Sequence, residues 1–554
     1  MSTDFFTLHK ETLEQGVAAA AERGFWSAYP ESPSPRIYGE TANDDGRAAF
    51  EAYLGKPFPL DVQGTDGQVG NEQSPFGAEL GITYPHVPVE ALIAQSSAAL
   101  DTWREAGPEG WVGVSLEILK RLNQRSFEMA YAVQHTTGQG FVMAFQAGSP
   151  QAQDRGLEAV VYAWQEMARI PHSVSWVKPQ GKQDPISMQK HFTIVPRGVA
   201  LVIGCSTFPT WNGYPGFFAS LATGNTVIVK PHPNAILPLA ITVKIAREVL
   251  SEAGHDPNVV QLAAHAANDD TVKSLALDPA VKLIDFTGSS ANGNWLETNA
   301  RQAQVYTEKA GVNQVIIDSV EDMKAVARNL AFSFALYSGQ MCTAPQNVYV
   351  PRGGIQTADG HLGFDEVAAA IGQAVEKLTS DAAKAVEITG AIQSEAIAKR
   401  IEQARALGLP VVADSRKLEH PQFSNATVMT PLVLRADVDN PAIFREWFGP
   451  IVFVVATDST EQSIRVAQQS VQTHGALTLS AYSTDENVKH AIQKAAERAG
   501  VSLSLNLTGG VFINQTAAFS DFHGTGANPA ANAALSDSAY VANRFRVVQT
   551  RWHA

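Results

Sequence analysis

The 554-residue sequence has few of the features that mark a secreted or membrane-embedded protein. It contains only two cysteines, Cys205 and Cys342, enough for one disulfide at most, which excludes a disulfide-stapled secreted framework. Its longest apolar runs, such as residues 199–203, are strand-sized and far below the roughly 20 residues that cross a bilayer. The N-terminal residues form no apolar signal core. These absences predict a cytoplasmic protein.

Charged residues are also scarce, and the acidic ones outnumber the basic ones. The chain has 55 Asp and Glu against 41 Lys and Arg, a net charge of −14. Such a chain repels phosphate backbones and anionic lipids, so we expect neither nucleic acid nor a membrane as partner. With 45% hydrophobic and 17% charged residues it has the composition of a well-buried globular protein, and its length predicts at least two domains.

The pattern of apolar residues divides the chain into regions. Residues 1–80 are irregular, with one helix predicted near residues 12–23, and we expect an extension that wraps the body, or alternatively a disordered leader. Residues 90–170 have helical spacing. After residue 190, short β-rich runs alternate with helical stretches, which predicts α/β domains on doubly wound parallel sheets. Residues 540–552 alternate like a final strand.

One carboxylate and one thiol stand out because each lies in a motif with glycine. Glu308 is part of Thr-Glu-Lys-Ala-Gly, and Cys342 follows Gly-Gln-Met. A thiolate is a strong nucleophile and a nearby carboxylate activates water, so the pair predicts covalent thiol chemistry that ends in hydrolysis. The structural alternatives are a salt-bridged residue at a helix end for Glu308 and a small buried apolar side chain for Cys342.

Three other motifs carry groups that suit a dinucleotide. The glycines of residues 286–293 follow a strand-like run and would let backbone N–H groups approach a phosphate. Lys230, fixed by the following proline, ends a strand-like run within reach of a ribose or phosphate. Glu446 precedes an aromatic-Gly-Pro turn, where it would accept ribose hydroxyls. Taken singly, each has a structural alternative: a plain strand–helix turn, a solvated lysine and a surface turn.

In chain order, these motifs resemble those of the aldehyde dehydrogenase superfamily. Glu308 and Cys342 are 34 residues apart, a separation that suits the family. The resemblance covers about residues 90–554. The matching patterns are Gly-Asn-Thr-Val-x-x-Lys-Pro (224–231), Phe-Thr-Gly-Ser (286–289), Glu-x-x-Gly (308–311), Gly-Gln-x-Cys (339–342) and Glu-x-Phe-Gly-Pro (446–450).

The family resemblance implies a domain plan. A Rossmann-like dinucleotide-binding domain would occupy residues 81–310, and an α/β catalytic domain residues 311–530. Residues 175–196 and a C-terminal strand in residues 531–554 would build a small β oligomerisation region. Such a region implies a homodimer or homotetramer.

The resemblance also assigns roles to the matched positions. Cys342 would attack the aldehyde carbon, hydride would pass to the nicotinamide, and Glu308 would activate the water that hydrolyses the thioester. No metal is implied. Relatives that transfer the acyl group to coenzyme A commonly lack this base, so Glu308 favours a free acid product, with a CoA-acylating enzyme as the alternative. Lys230 and Glu446 would hold the cofactor riboses, and Gly288, Ser289 and Gly293 would lie near the pyrophosphate. Phe448 would also bind the cofactor.

One departure from the family affects the oxyanion site. The family places Asn-Phe-Pro 17 residues before the Gly-Asn-Thr turn, where this chain has Thr207, Phe208 and Pro209. Three alternatives follow: Thr207 replaces the asparagine, Asn212 reaches in from the following helix, or the backbone N–H of Cys342 acts largely alone. We rank Thr207 first. The departure also leaves room for a thiol esterase or a catalytically quiet protein that binds an aldehyde for a pathway.

A second departure affects the cofactor. Many NAD-using relatives have a glutamate three residues after the strand-end lysine, where this chain has Pro233. Without that carboxylate a 2′-phosphate is admissible, and Lys230 with His232 would attract it, so NADP is slightly favoured over NAD. A solvated loop histidine is the alternative for His232.

The substrate follows from a narrower resemblance, to the phenylacetic acid degradation protein PaaN group. The long extension and residues 204–215 and 230–233 carry it. It implies a small-molecule aldehyde, namely a ring-opened, CoA-linked semialdehyde of aromatic catabolism. Phe208, Trp211 and Phe522 would line the substrate pocket, with a core aromatic as the alternative for Phe522.

Overall fold

The computed structural model describes residues 4–267, 269–309 and 311–554. Helices dominate the region before the first sheet; their bounds are Phe5–Leu8, Lys10–Glu22, Pro35–Tyr38, Ala42–Glu51, Val89–Glu105, Gly107–Gln124, Ser126–Thr137, Phe141–Gly148 and Pro150–Ala168. Among the described residues, every helix is too short or too polar to span a bilayer.

A five-stranded parallel sheet forms the first α/β layer. Its order is Val260–Leu262, Thr226–Lys230, Val199–Ile203, Val281–Thr287 and Gln304–Glu308. The helices around it are Pro209–Leu221, Leu237–Glu252, Thr271–Leu277 and Ser290–Asn299. All strands run in the same direction, so Lys230, Thr287 and Glu308 end at one edge of the sheet, where ligands of such folds bind.

A seven-stranded sheet forms the second layer and completes the predicted α/β architecture, which is confirmed. Its order is Val411–Ala413, Leu432–Asp437, Ile451–Thr457, Pro345–Pro351, Asn313–Ile317, Thr478–Tyr482 and Ser502–Leu505, with only the first pair antiparallel. The helices around it are Met323–Ala335, Phe364–Leu378, Ala382–Thr389, Glu395–Arg405, Thr460–His474 and Glu486–Ala499.

A three-stranded antiparallel sheet stands apart from these layers. Its strands are Phe545–His553, Gln183–Pro196 and Ser173–Gln180. The predicted tail strand over residues 540–552 is wrong at its start, because Ser538–Ala542 is helical. The Asp537 side chain caps that helix by accepting a hydrogen bond from the Tyr540 N–H at 2.7 Å.

The N-terminal extension is more regular than the sequence predicts. The helix expected near residues 12–23 spans Lys10–Glu22, and three further short helices accompany it. Phe5, Leu13 and Phe50 are buried in the same core cluster as the helices before the first sheet. Helices of four residues show no periodicity that a sequence pattern could detect, and tertiary burial stabilises them.

A buried ion pair ties the tail to the first sheet. Arg544 donates to both carboxylate oxygens of Asp285 at 2.7 and 2.6 Å, and the Tyr540 hydroxyl donates to Asp285 at 2.6 Å. Replacing Asp285 by alanine would leave the guanidinium buried and unpaired, so we expect the free energy of unfolding to fall by roughly 3–5 kcal/mol.

Chemical denaturation followed by circular dichroism measures this loss. The control is Asp458→Ala, which removes an exposed partner of Arg352 at 3.5 Å and should cost about 1 kcal/mol or less. Equal midpoints and slopes for the two variants would contradict the expected role of the buried pair.

Candidate active site

Cys342 lies in a loop held in a strained conformation. The preceding turn has two non-glycine residues at positive φ, Tyr337 and Ser338, both at 49°. The Tyr337 hydroxyl donates to the Thr137 carbonyl at 2.5 Å. Gly339 follows at φ 62°, and a Cβ there would lie 2.4 Å from the Gly449 carbonyl oxygen. Glycine is therefore needed at position 339 for the close approach of these two backbone segments beside the thiol.

Glu308 is buried at the end of the last strand of the first sheet, next to Cys342. His523, which is equally buried, joins the two groups. Its Nε2 atom lies 3.0 Å from a Glu308 carboxylate oxygen and 3.8 Å from the Cys342 sulfur. Among the described residues, these three form a group whose potential ligand atoms all lie within 4.8 Å of one another. The structure thus brings the predicted acid–thiol pair together and adds an imidazole.

The two reactive groups influence each other's protonation. Burial, by itself, would raise the pKa of Glu308, but the imidazole of His523 and hydrogen bonds from His523, Cys342 and Asn212 outweigh it, and the pKa is lowered. Burial and the Glu308 carboxylate raise the pKa of Cys342 well above its usual range. The free site therefore holds an ionised carboxylate beside a neutral thiol, so attack by sulfur requires transfer of its proton.

A cavity of about 750 Å³ leads to the sulfur. Cys342 and His523 line it, as do Phe208, Trp211 and Asn212. The edge of the Trp211 ring packs against His523, with ring centroids 4.5 Å apart. Glu308 is not part of this lining, so Asn212 and His523 connect the carboxylate to the cavity.

Phe522 does not line this cavity, contrary to the sequence prediction. Its side chain is 47% exposed, and the Arg23 guanidinium lies over its ring at 3.9 Å. The next residue, His523, turns inward instead. Sequence reasoning missed His523 because nothing but its place beside Phe522 and Gly524 distinguished it from other histidines.

Of the two side chains proposed as oxyanion donors, only Asn212 lines the cavity. Thr207 is absent from the cavity lining; its hydroxyl is directed at Cys205, and its carbonyl accepts from Gln139 at 2.8 Å. Asn212, one turn into the helix Pro209–Leu221, lines the cavity, and its Nδ2 donates to Glu308 at 3.3 Å. This placement favours Asn212 over the first-ranked Thr207.

Both cysteines are free thiols in the structure, so the single disulfide that the sequence allows is not formed. Cys205 lies near the same site, with its sulfur 3.9 Å from the side-chain oxygen Oδ1 of Asn212. Burial raises the pKa of Cys205 to about 11, which keeps it protonated and unreactive near neutral pH.

The candidate cofactor residues follow the edge of the first sheet. Lys230 ends its strand, and Ser289 caps the helix Ser290–Asn299 through the Asn292 N–H. Gly288 donates its N–H to the Glu308 carbonyl at 3.1 Å, and a Cβ at Gly293 would clash with Lys309. Gly293 therefore serves packing of this loop as well as any ligand.

The environment of Lys230 is suited to binding an anionic or hydroxyl-rich ligand. Its side chain is buried, and no ion-pair partner lies within 4.0 Å among the residues that the structure describes. Burial lowers the pKa of Lys230 to about 8, against the effect of Asp269. A buried, unpaired ammonium at the carboxyl edge of a parallel sheet fits a dinucleotide.

Burial shifts the pKa values of His232 and Glu446 away from those of exposed side chains. Burial, reinforced by Lys230, lowers the pKa of His232 to about 4, so it is neutral near pH 7. Burial raises the pKa of Glu446 to about 7, although the Gly311 N–H and Arg400 favour its charged form. The Phe448 carbonyl accepts from Arg400 at 3.0 Å, which fixes the loop that carries both predicted residues.

Replacing His523 by glutamine is expected to shift the pH dependence of catalysis. Without the imidazole, burial dominates at Glu308 and the pKa of Glu308 rises. When the pH is lowered, the carboxylate is then protonated at a higher pH than in the unmodified protein, and turnover falls with it. The acidic limb of the kcat profile therefore moves to higher pH. The measurement is kcat between about pH 5 and 9 for both proteins. A uniform loss of rate with an unchanged profile would assign His523 a packing role only.

The sequence comparison agrees with this site. Residues 84–525 match the sequence profile of the Aldehyde dehydrogenase family. The match covers well over half of the chain, and the chain therefore belongs to the aldehyde dehydrogenase family, whose members are oxidoreductases that act on aldehydes.

Individual relatives span a range of similarity. The N-succinylglutamate 5-semialdehyde dehydrogenase of Burkholderia cenocepacia is 26% identical over 434 residues, 76% of this chain and 80% of that protein. A second relative is FUS7 of Gibberella fujikuroi, which is named as an aldehyde dehydrogenase. It is 28% identical over 322 residues, or 58% of this chain. The chain spans only 62% of the length of FUS7.

Two solved structures have the same fold as this chain. A crystal structure of an NAD-dependent aldehyde dehydrogenase from Burkholderia multivorans is 64% identical, covers 100% of both chains and superposes with a TM-score of 0.99. A 1-pyrroline-5-carboxylate dehydrogenase from Thermus with bound NAD is 18% identical, with a TM-score of 0.73 over 96% of this chain and 99% of that chain. At that identity the second similarity concerns the fold alone.

Proposed function

We propose that the protein oxidises an aldehyde to a carboxylic acid with a nicotinamide cofactor. The observation that carries the proposal is the compact group of Cys342, His523 and Glu308, of which Cys342 and His523 line the cavity and Glu308 lies behind them. A thiol, a proton acceptor and a water-activating carboxylate within hydrogen-bonding reach are the groups that thioester formation and hydrolysis need.

The residues act in a defined sequence. The Cys342 sulfur attacks the carbonyl carbon while its proton passes to Glu308, directly or through His523, and Asn212 donates to the carbonyl oxygen. Bound nicotinamide supplies the hydride acceptor. The carbon, having lost hydride, remains on Cys342 as a thioester. Glu308 releases the first proton to solvent and then accepts a proton from the water that attacks the thioester. As the carboxylic acid leaves, that second proton passes to the sulfur and restores the thiol.

For the cofactor we infer NAD first and NADP second, which reverses the slight preference that the sequence gives. Two observations support NAD. His232 is neutral near pH 7 and brings no charge to a 2′-phosphate, and the 64% identical Burkholderia protein is named NAD-dependent. Pro233 keeps NADP admissible because no carboxylate repels the phosphate. The ratio of kcat/KM for NAD and NADP tests this order.

Two classes of substrate are candidates. The resemblance to the PaaN group supports a ring-opened, CoA-linked semialdehyde of aromatic catabolism. The cavity supports an apolar aldehyde without phosphates, because no lysine or arginine is among the described residues that line it. A coenzyme A moiety would have to lie outside the cavity.

The exposed three-stranded sheet supports an oligomer, a homodimer or homotetramer. It presents a set of apolar side chains to solvent: Val174, Val177, Ile186, Val547, Val548 and Trp552. We expect Val548→Glu to yield a smaller species than the unmodified protein in sedimentation velocity. An unchanged sedimentation coefficient would remove this sheet as the subunit interface.

Absorbance of reduced nicotinamide tests the function directly. The protein is mixed with NAD or NADP and a panel of aliphatic, aromatic and CoA-linked aldehydes. Reduction with release of free acid supports the proposal, and reduction that requires coenzyme A supports the CoA-acylating alternative. Cofactor binding without reduction by any aldehyde would favour a thiol esterase or a non-redox aldehyde-binding protein.

A further inference from the structure

Part of the N-terminal extension lines the cavity that leads to Cys342. Phe25, Trp26, Ser27 and Glu31 contribute to the lining, although they precede Cys342 by more than 300 residues. Phe25 is 78% exposed, an unusual position for a large apolar side chain. We refer to residues 23–31 as the mouth segment.

Hydrogen bonds hold the mouth segment in place. The Ser27 hydroxyl and the Ala28 N–H donate to the two oxygens of Asp154 at 2.5 and 3.0 Å. Arg23 donates to the Tyr162 hydroxyl at 2.7 Å, and the ring of Trp26 packs edge-on against Phe519 at 4.9 Å. These contacts hold the backbone of the segment as one wall of the cavity, and the exposed Phe25 side chain extends from that wall.

The charges around the cavity are of one sign. Glu31, Glu387 and Asp521 line it, and no lysine or arginine among the described residues does. Asp154 also lines it, but burial raises the pKa of Asp154 to about 7, so its charge is only partial near neutral pH. Two arginines lie close to the lining residues without being part of the lining, and both approach the buried carboxylate of Glu158: Arg155 at 2.9 Å and Arg23 at 3.7 Å. The Glu158 carboxylate offsets part of their charge, and the lining itself presents aromatic side chains and carboxylates.

We infer that the mouth segment is part of the substrate site, and that the cavity it encloses selects uncharged or cationic apolar aldehydes over aldehydes with an anionic group at the far end. This inference rests on the proposed dehydrogenase function. Phe25 contributes aromatic contact to the part of the substrate that is distant from the aldehyde group. Glu31 and the neighbouring carboxylates repel a substrate that carries a carboxylate or a phosphate at that distant end.

A matched pair of aldehydes tests the charge selection. We expect kcat/KM for 4-methylbenzaldehyde to exceed that for 4-formylbenzoate by about tenfold or more at low ionic strength. Glu31→Lys should raise kcat/KM for the anionic aldehyde about three- to tenfold, whereas Glu40→Lys, on the extension but outside the cavity, should not. Equal values for the two aldehydes in the unmodified protein would overturn the inference.

A second pair of variants tests the aromatic contact. Phe25→Ala should raise KM for 4-methylbenzaldehyde about two- to tenfold with little change in kcat. Propanal, too short to reach the entrance, should be unaffected. Ile37→Ala, an exposed apolar residue of the extension outside the cavity, is the control. An unchanged KM in Phe25→Ala would exclude the mouth segment from the substrate site.

A binding measurement separates this inference from the function on which it rests. Protection of Cys342 from alkylation by iodoacetamide reports entry of an aldehyde without any redox step. Absence of cofactor reduction with every aldehyde, propanal included, would overturn the proposed function. Stronger protection by 4-methylbenzaldehyde than by 4-formylbenzoate would still support the selection, and equal protection would overturn it.

Discussion

Replacement of Cys342 by alanine is expected to reduce aldehyde-dependent formation of reduced nicotinamide by roughly 10⁴-fold or more. The sulfur is the atom that must bond to the aldehyde carbon before hydride can leave, and no other thiol lies at the end of the cavity among the described lining residues. Steady-state absorbance measures the loss, and fluorescence titration with the reduced cofactor checks that its binding remains.

Cys205→Ala is the matched control for this experiment. Cys205 is the second free cysteine, close to Asn212 yet outside the cavity lining, and burial keeps its thiol protonated. We expect this variant to keep its turnover within about tenfold. Retention of turnover in Cys342→Ala, with loss in Cys205→Ala, would exchange the roles assigned to the two cysteines.

Glu308→Gln is expected to separate the two halves of the reaction. The negative carboxylate contributes to the raised pKa of Cys342, so its removal lowers that pKa. The imidazole of His523, 3.8 Å from the sulfur, remains in this variant to accept the thiol proton, so attack on the aldehyde stays possible. Hydrolysis of the thioester loses its base and should slow by about 10²- to 10⁴-fold. Stopped-flow absorbance should therefore show a burst of one reduced cofactor per site, followed by a slow steady state.

The same variant discriminates between hydrolysis and acyl transfer. If coenzyme A were the natural acceptor, Glu308→Gln would keep full turnover in its presence, because the acceptor thiol needs no water-activating base. We expect coenzyme A to leave the slow steady state unchanged. A linear trace at the unmodified rate, without a burst, would remove Glu308 from the deacylation step.

The order of short motifs was sufficient to predict the family and the principal acid–thiol pair. A segment with a continuous apolar run was also predictable: the strand-sized run of residues 199–203 is the strand Val199–Ile203. The strand Gln304–Glu308 was not predicted, since it lies at the sheet edge and its first two residues are only partly buried. Its pairing is set by the neighbouring strand.

The sequence could not predict the parts of the site that depend on contacts between residues far apart in the chain. His523 reaches Glu308 across more than 200 residues, and the mouth segment reaches the cavity from the other end of the chain. The sequence offered both Thr207 and Asn212 as oxyanion donors and ranked Thr207 first, whereas the helix that begins at Pro209 carries Asn212 into the cavity lining. No local pattern distinguishes these residues, because their neighbours come from other elements.

The pairing of Asp285 with Arg544 also sets a delay in biosynthesis. The two residues are 259 positions apart, so the strand that carries the carboxylate leaves the ribosome long before the guanidinium exists. At about 5–20 residues per second, the interval is on the order of 10 to 50 seconds. During that time the first sheet holds an acidic group without its partner. Chains that stop short of Arg544 would keep that defect permanently and be exposed to proteolysis.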